Sequence, residues 1–539
     1  MRIQSLFRGW LVTALAVSTG LVRAEEPKTR IDAVLSTPGF QSAHWGLLVV
    51  DGKTGEPVYQ RNADQLFCPA SVTKLFTTAA ALTELGADHR FVTPVVRKGK
   101  VDADGTLSGD LILVAKGDLS LGGRTGPDGT LLFTDDDHSY AGGNLNAQLV
   151  PTDPLAGLDH LAREVHDSGI RAITGDVLVD DRLFEAARSS GSGPSRVSPI
   201  VINDNLVDVV VSPASKPGEL ATVRTVPETA FVTMDARVET VAEGESPTVS
   251  VRSVGPRRFS VRGRLPAGHP KAVKIYEVRE PAAFARALFI EALQRRGVQV
   301  SASPLGENNA DRLPDQTELA ALTTVAEYTS PPFREYLKVI LKVSQNLHAS
   351  TLPLLIAAQH GETTAEAGLR REGALLKQLG VDVTTISFAG GAGGERADLV
   401  TPKATVALLR AMAQRPDFHA YEAALPVLGR DGTLTKHVSR ESPVRGHARA
   451  KTGTYWVEDG LTGKSVMTGK GLAGYMETAS GRPLVFAFFI NNVPLNGSVS
   501  DGTTTAGRLL GSLCEIFYAD EAAASKPAST PAPAIDARP

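Results

Sequence analysis

Ser71 and Lys74 stand three residues apart in "CPASVTKLFTTAAALTELG", a hydroxyl and an ammonium on one face of an apolar helix. Those residue types at that spacing suit an activated nucleophile, because a lysine stripped of water gives up its proton and becomes a base for the neighbouring hydroxyl. The bland reading is a surface lysine snorkelling to water from the start of a helix. Two other stretches bear on the choice. Ser344-Gln345-Asn346 follows the helical run "SPPFREYLKVILKV", and Lys451-Thr452-Gly453, followed by Thr454, lies in the β-rich "HARAKTGTYWV". Taken singly, the first is an ordinary polar turn and the second an ordinary strand segment.

The elements around these residues are legible. "GLLVV" and "PVYQ" flank a glycine-rich turn and read as a hairpin. Pro69 starts the helix, Val72, Leu75, Phe76, Ala79 and Leu82 form its apolar stripe, and Gly86 stops it. Ser71 thus falls in the first turn, where free N–H groups and the helix dipole favour a developing anion. "GLAGYMET" and "PLVFAFFIN" read as antiparallel strands that follow the Lys451 strand and are joined by "ASGR". A second Lys-Thr-Gly, at Lys53-Thr54-Gly55, falls in the early hairpin turn, where such residues are expected anyway. Gly469 to Gly474 spells a dinucleotide-loop pattern but leads into a strand rather than a helix, so that reading fails. G-x-S-x-G, H-E-x-x-H and paired C-x-x-C are absent, so neither a metal nor a cofactor is expected.

The chain has 539 residues and a net charge of −3, which gives no basic footprint for nucleic acid. Residues 1–24, with Arg2 and Arg8 before "GWLVTALAVSTGLV", predict a secretory signal cut after Ala24. No later run is long and apolar enough to span a bilayer, so an exported protein without a transmembrane anchor is expected, periplasmic or associated with the cell wall. Cys68 and Cys514 leave a single bridge or two thiols open. Residues 519–539, rich in Ala, Pro and Ser, predict a disordered tail.

In the order S-x-x-K, S-x-N, K-T-G, the three motifs are those of β-lactamases and penicillin-binding proteins. Ser71 to Ser344 spans 273 residues and Ser344 to Lys451 spans 107, which leaves room for extra domains in the first gap. The chain resembles the class C low-molecular-mass penicillin-binding proteins, which are D-alanyl-D-alanine carboxypeptidases and endopeptidases. "LSGDLILVAKGDLSL", "ITGDVLVDDRLF", "LKVSQNLHAS" and "LVTP" are similar to family blocks and stand in family order. The chain departs from the pattern at Gln345. It departs again at Gly390, Gly391, Ala392 and Gly393, where an Asp and a Ser are lost although Arg396 is kept. A third departure is the insertion "VEDGLTGKSVMTGK".

The resemblance implies an α/β (α+β) fold, a serine β-lactamase-like transpeptidase domain carrying inserted mostly-β domains. Residues 25–100 and 305–518 would form the catalytic domain, 101–199 and 269–304 a second domain, and 200–268 a nested β domain. Ser71 is then the nucleophile, Lys74 its base, and Ser344 the proton donor to the leaving amine. Asn346 would hold Lys74 and a substrate carbonyl. Lys451 and Thr452 would bind the terminal carboxylate, with Gly453 between Thr452 and the oxyanion donor Thr454. Asp180, Phe184 and Arg396 would line the pocket for the stem-peptide side chain. The implied partners are peptidoglycan stem peptides, with β-lactam antibiotics as inhibitors acylating Ser71. A β-lactamase or another serine amidohydrolase on the same fold is one rival, and a non-catalytic wall-binding relative is the other.

Overall fold

The computed structural model describes residues 27–495 and 497–519. The expected signal at 1–24 and the tail from 520 onward lie outside the described residues.

Both ends of the described chain build one antiparallel sheet. From one edge to the other its strands are Ala448–Glu458, Ser465–Glu477, Pro483–Asn491, His44–Asp51 and Pro57–Arg61, with the short Val493–Pro494 pairing beside Ser465–Glu477. The central strand, "PLVFAFFIN", has no polar residue before its last position because both of its faces are covered. Leu484, Phe486, Phe488 and Ile490 point to one side and pack with the helices Pro27–Leu35 and Val499–Ala519, through Ile31, Leu510, Leu513 and Phe517. Val485, Ala487 and Phe489 point to the other side, where the helices Thr73–Leu85, Asn346–Ala358 and Pro402–Ala413 lie. The period of two in the strand thus assigns each residue to one of two cores.

Between these halves the chain makes a second sheet, with Val92–Val101, Thr106–Val114, Val177–Asp180 and Thr323–Thr329 among its strands. Two smaller three-stranded sheets follow. One joins Leu206–Ser212 with Thr222–Val226 and Ala272–Glu277, and the other joins Thr233–Val241, Arg258–Pro266 and Thr248–Gly255. The borders therefore differ from those read off the sequence. Residues 92–101 and 323–329 pair antiparallel in the inserted sheet, not in the catalytic one. Directly before and after them the Phe91 N–H donates to Ser330 Oγ (2.9 Å), and the Ser330 N–H donates to the Phe91 carbonyl (2.9 Å). An insertion must leave and re-enter its host at one place, so its first and last strands lie side by side. Likewise Ala272–Glu277, expected in the surrounding domain, completes the sheet of Leu206–Ser212.

Cys68 and Cys514 are both free thiols, Cys68 half-buried and Cys514 buried in the C-terminal helix layer. Among the described residues no helix is long and apolar enough to cross a membrane.

Candidate active site

Ser71 lies in a short 3-10 turn, Ala70–Val72, that leads into the helix Thr73–Leu85. The preceding Ala70 has φ +47°, a left-handed conformation costly for a residue with a Cβ. Lys74 is wholly buried, and its Nζ is 2.8 Å from Ser71 Oγ, 2.6 Å from Asn346 Oδ1 and 2.7 Å from the Ala392 carbonyl oxygen. Burial holds the Lys74 pKa well below the ordinary lysine value. The Lys451 ammonium adds to that effect, and Asp398 opposes it.

The Ser344 segment is shaped by a break in its helix. Phe333–Lys338 continues into a π-turn, Val339–Val343, and the chain then reverses at Ser344 with φ +67°. That strained residue aims its two polar atoms in useful directions. Ser344 Oγ accepts from Lys451 Nζ (2.8 Å), while its carbonyl accepts from Tyr140 Oη (2.6 Å). Gln345, a departure from the family pattern, caps the next helix by accepting from the Leu347 N–H (2.9 Å). Asn346 opens that helix and donates from Nδ2 to the Ser192 carbonyl of the insertion (2.8 Å).

The edge strand Ala448–Glu458 brings in Lys451, Thr452, Gly453 and Thr454. It passes over the start of the Ser71 helix so closely that a Cβ at Gly453 would overlap the Pro69 carbonyl. Burial, with help from the Lys470 ammonium, lowers Lys451 to about 7. Thr452 Oγ1 is 2.9 Å from Thr433 Oγ1 on the opposite lip.

The glycine-rich run closes the rear wall. Asp398 accepts from the Ala389 N–H and the Glu395 N–H, both at 2.9 Å, and so folds the loop that hands the Ala392 carbonyl to Lys74. A Cβ at Gly391 would overlap the Ala349 carbonyl, and one at Gly393, where φ is +82°, would overlap that of Ala70. The "GGAGG" departure therefore does structural work beside Lys74. Gly393→Ala is expected to cost about 1–3 kcal/mol, read as a lower midpoint in thermal unfolding. An unchanged midpoint would show that the loop yields freely.

Ser71, Ser344, Asn346, Thr452 and Thr454 line one cleft of ≈ 690 Å³, and Lys74 and Lys451 lie directly beneath it. Three expected pocket residues do not line it. Asp180 is buried at the end of its strand in a bidentate pair with Arg182 (2.8 and 2.9 Å). Phe184 is part of the hydrophobic core, and Arg396 is exposed on the loop beyond the glycines. In their place the inserted domains contribute Asp135, Asp136, Asp137, Tyr140, Asn144, Gly191 and Ser192, and the Lys-Thr-Gly strand contributes Tyr455 and Trp456. Nothing in the sequence around "DDDHSY" signals a cleft, because its approach to Ser344 depends on a contact across 204 residues.

Among the described residues, Asp137, His138 and Asp204 are close enough to share a metal ion. The Arg124 guanidinium already fills that space, binding both Asp137 oxygens (2.8 and 3.0 Å) and Asp204 (2.5 Å), so the group is a buried ion-pair network.

A helix-borne serine that touches its own buried lysine, facing a Lys-Thr-Gly edge strand, is the arrangement of the active-serine enzymes with the penicillin-binding fold. Within that class the whole chain speaks for one group: residues 28–509 match the D-Ala-D-Ala carboxypeptidase 3 (S13) family, and the protein belongs to it, a serine-type peptidase. A D-alanyl-D-alanine carboxypeptidase of Actinomadura sp. (strain R39) is 32% identical over 478 residues, covering 85% of this chain and 80% of that protein. The D-alanyl-D-alanine carboxypeptidase DacB of Haemophilus influenzae is 24% identical, covering 84% and 86% respectively. The crystal structure of penicillin binding protein 4 (dacB) from Haemophilus influenzae superposes with a TM-score of 0.66 at 21% identity, over 91% of this chain and 99% of that one. That likeness shows the fold.

Proposed function

We propose that this protein cleaves the terminal D-alanyl-D-alanine amide of peptidoglycan stem peptides, or the equivalent cross-link, through an ester on Ser71. The observation that carries the reading is the environment of Lys74. A neutral amine has two N–H groups and one lone pair, and Nζ faces two carbonyl oxygens and one hydroxyl. The N–H groups donate to Asn346 Oδ1 and the Ala392 carbonyl, which leaves the lone pair for the Ser71 proton.

Ser71 Oγ then attacks the carbonyl carbon of the penultimate D-Ala as its proton passes to Lys74 Nζ. The N–H groups of Ser71 and Thr454 receive the oxyanion, donors typically worth about 2.7–4 kcal/mol each. Ser344 gives its proton to the departing amine as the C–N bond breaks and takes one from Lys451 Nζ, which donates to it. Water then attacks the ester carbonyl, its proton passing through Ser344 back to Lys451, while Lys74 returns the proton it took up to Ser71 Oγ as the ester bond breaks. The terminal carboxylate lies against Thr452, Thr454 and the Lys451 charge. Export by the N-terminal signal places the enzyme where peptidoglycan is. Release of D-Ala from a diacetylated Lys-D-Ala-D-Ala peptide, beside cleavage of a purified cross-linked dimer, tests the reading. Activity on neither would sink it.

β-Lactams enter the same chemistry and stay attached. The cleft carboxylates are engaged elsewhere, Asp135 by the Gly432 N–H (2.7 Å), Asp136 by Asn144 (3.0 Å) and Asp137 by Arg124. Among the described residues no carboxylate is hydrogen-bonded to Ser71 or Lys74. Hydrolysis of a chromogenic cephalosporin over many turnovers, with no lasting adduct, would favour the β-lactamase rival.

The rate should be bell-shaped in pH. At low pH Lys74 is protonated and cannot take up the serine proton. On the alkaline side Lys451, at about 7, loses the charge that attracts the carboxylate. A plot of kcat/KM against pH is expected to fall above about pH 7–8 through a rising KM, and a flat profile from 7 to 10 would contradict this.

A further inference from the structure

Lys470 lies in the glycine-rich run that fails as a dinucleotide loop, on the strand next to the Lys-Thr-Gly strand and directly across from Thr454 in register. It is 2% exposed. Its side chain makes one hydrogen bond among the described residues, to Thr454 Oγ1 at 2.9 Å, and no ion pair. Three other buried cations have carboxylates, Arg124 with Asp137, Arg286 with Asp176 (2.6 Å) and Lys342 with Asp431 (2.8 Å), whereas Lys470 shares the lack of one with Lys274 and with Lys74 and Lys451 beneath the cleft. A buried ammonium without a counter-ion is costly, so an anion supplied from outside would relieve it. The way out from Lys470 runs through Thr454, which lines the cleft beside Thr452 and Thr433. With its oxygen accepting from Lys470, the Thr454 hydroxyl turns its own proton away, toward the cleft.

We propose that Lys470 is a second ammonium of the carboxylate subsite, a positioning residue that acts through Thr454 Oγ1 to select ligands ending in a free carboxylate. This rests on the DD-peptidase reading above. The charge of Lys470 reaches the subsite in two ways, by orienting the Thr454 hydroxyl and by adding to the positive field of Lys451. Lys470 takes no part in bond making, so its loss should weaken recognition and spare the chemistry at Ser71.

The test compares a D-alanyl thioester of thioglycolate, whose leaving group ends in a carboxylate, with the methyl ester of the same compound. Lys470→Met keeps the length of the side chain and removes its charge, a change that suits a buried site. We expect kcat/KM for the free acid to fall roughly 10- to 100-fold, as losing a hydrogen bond to a charged group gives. The fall should come mainly through KM, with the ester rate unchanged. Lys470→Arg should restore the preference for the acid. Equal losses on both substrates, or no loss on either, would overturn the role of Lys470. Wild-type protein inactive on both would instead overturn the DD-peptidase reading, and this inference with it.

Discussion

Ser71→Ala is expected to form no covalent adduct with penicillin and to lose roughly ten-thousand- to a million-fold in turnover, the scale seen when a serine nucleophile is removed. The loss should be this large because no other hydroxyl can take over. Ser344 Oγ is hydrogen-bonded to Lys451, not to Lys74. Thr73 belongs to the same helix but is buried, whereas Ser71 lines the cleft. Intact mass after incubation with penicillin reads the result directly: one added penicillin on the wild type and none on the variant. An adduct of equal yield on Ser71→Ala would move the nucleophile elsewhere and remove the basis of the mechanism. Lys74 should stay buried in the variant, so the fold is expected to persist and any loss to be chemical.

The second large effect concerns stability. Asp204 sits in the turn Asn203–Asn205, whose three residues all have positive φ, and it binds three basic side chains at once. Its oxygens accept from Arg124 (2.5 Å), His138 Nε2 (3.0 Å) and His348 Nε2 (2.7 Å), while His138 Nδ1 meets Asp208 (2.8 Å). His348 follows Asn346 by two residues, so this network ties the insertion to the Ser-x-Asn segment. Asp204→Ala removes the carboxylate that Arg124, His138 and His348 share, leaving Arg124 to Asp137 and His138 to Asp208, and is expected to cost about 3–5 kcal/mol. The cost should appear as a lower unfolding midpoint and slower penicillin acylation together. A variant that melts like the wild type would show that the network contributes nothing net.

The pH dependence of that network has a definite sign. Burial alone would push His138 down, but Asp208, Asp137 and the bond to Asp204 raise its pKa well above the ordinary value. Its contribution to stability is therefore full below about pH 6.5 and is lost as pH rises through the raised value. Burial alone would raise Asp204, but Arg124 and His348 hold it well below the ordinary carboxylate value. Its contribution is full above about pH 4 and is lost as pH falls through the depressed value. The wild type should gain most over Asp204→Ala between those limits.

Much of the catalytic centre was legible because its parts are local. Pro69, the apolar stripe and Gly86 predict the nucleophile helix, and they place Ser71 and Lys74 one turn apart whatever the rest of the chain does. The strand "PLVFAFFIN" announces burial on both faces by having no polar residue before its end. The motif order carried the family, since three short patterns in one sequence constrain each other far more than each does alone.

What was not legible is contact at long range. Asp180 and Phe184 were expected at the cleft by their place in the chain, but the fold gives Asp180 to Arg182 and Phe184 to the core. Tyr140 and the acidic run beside it take up that wall because an insertion of more than two hundred residues folds back onto Ser344. The domain borders were misplaced for the same reason: strands that leave and return pair across the insertion, and no local pattern records their partner. The sequence by itself determined the candidate nucleophile, its candidate base and the order of the three motifs, because helix and strand periodicities act over a few residues. Only the tertiary structure decided that Lys74 is dry enough to be a base, that Ala392 holds it, and that Lys470 stands behind Thr454 without a carboxylate. Burial and charge proximity are set by everything that packs around a group, and they exist only once the chain has closed.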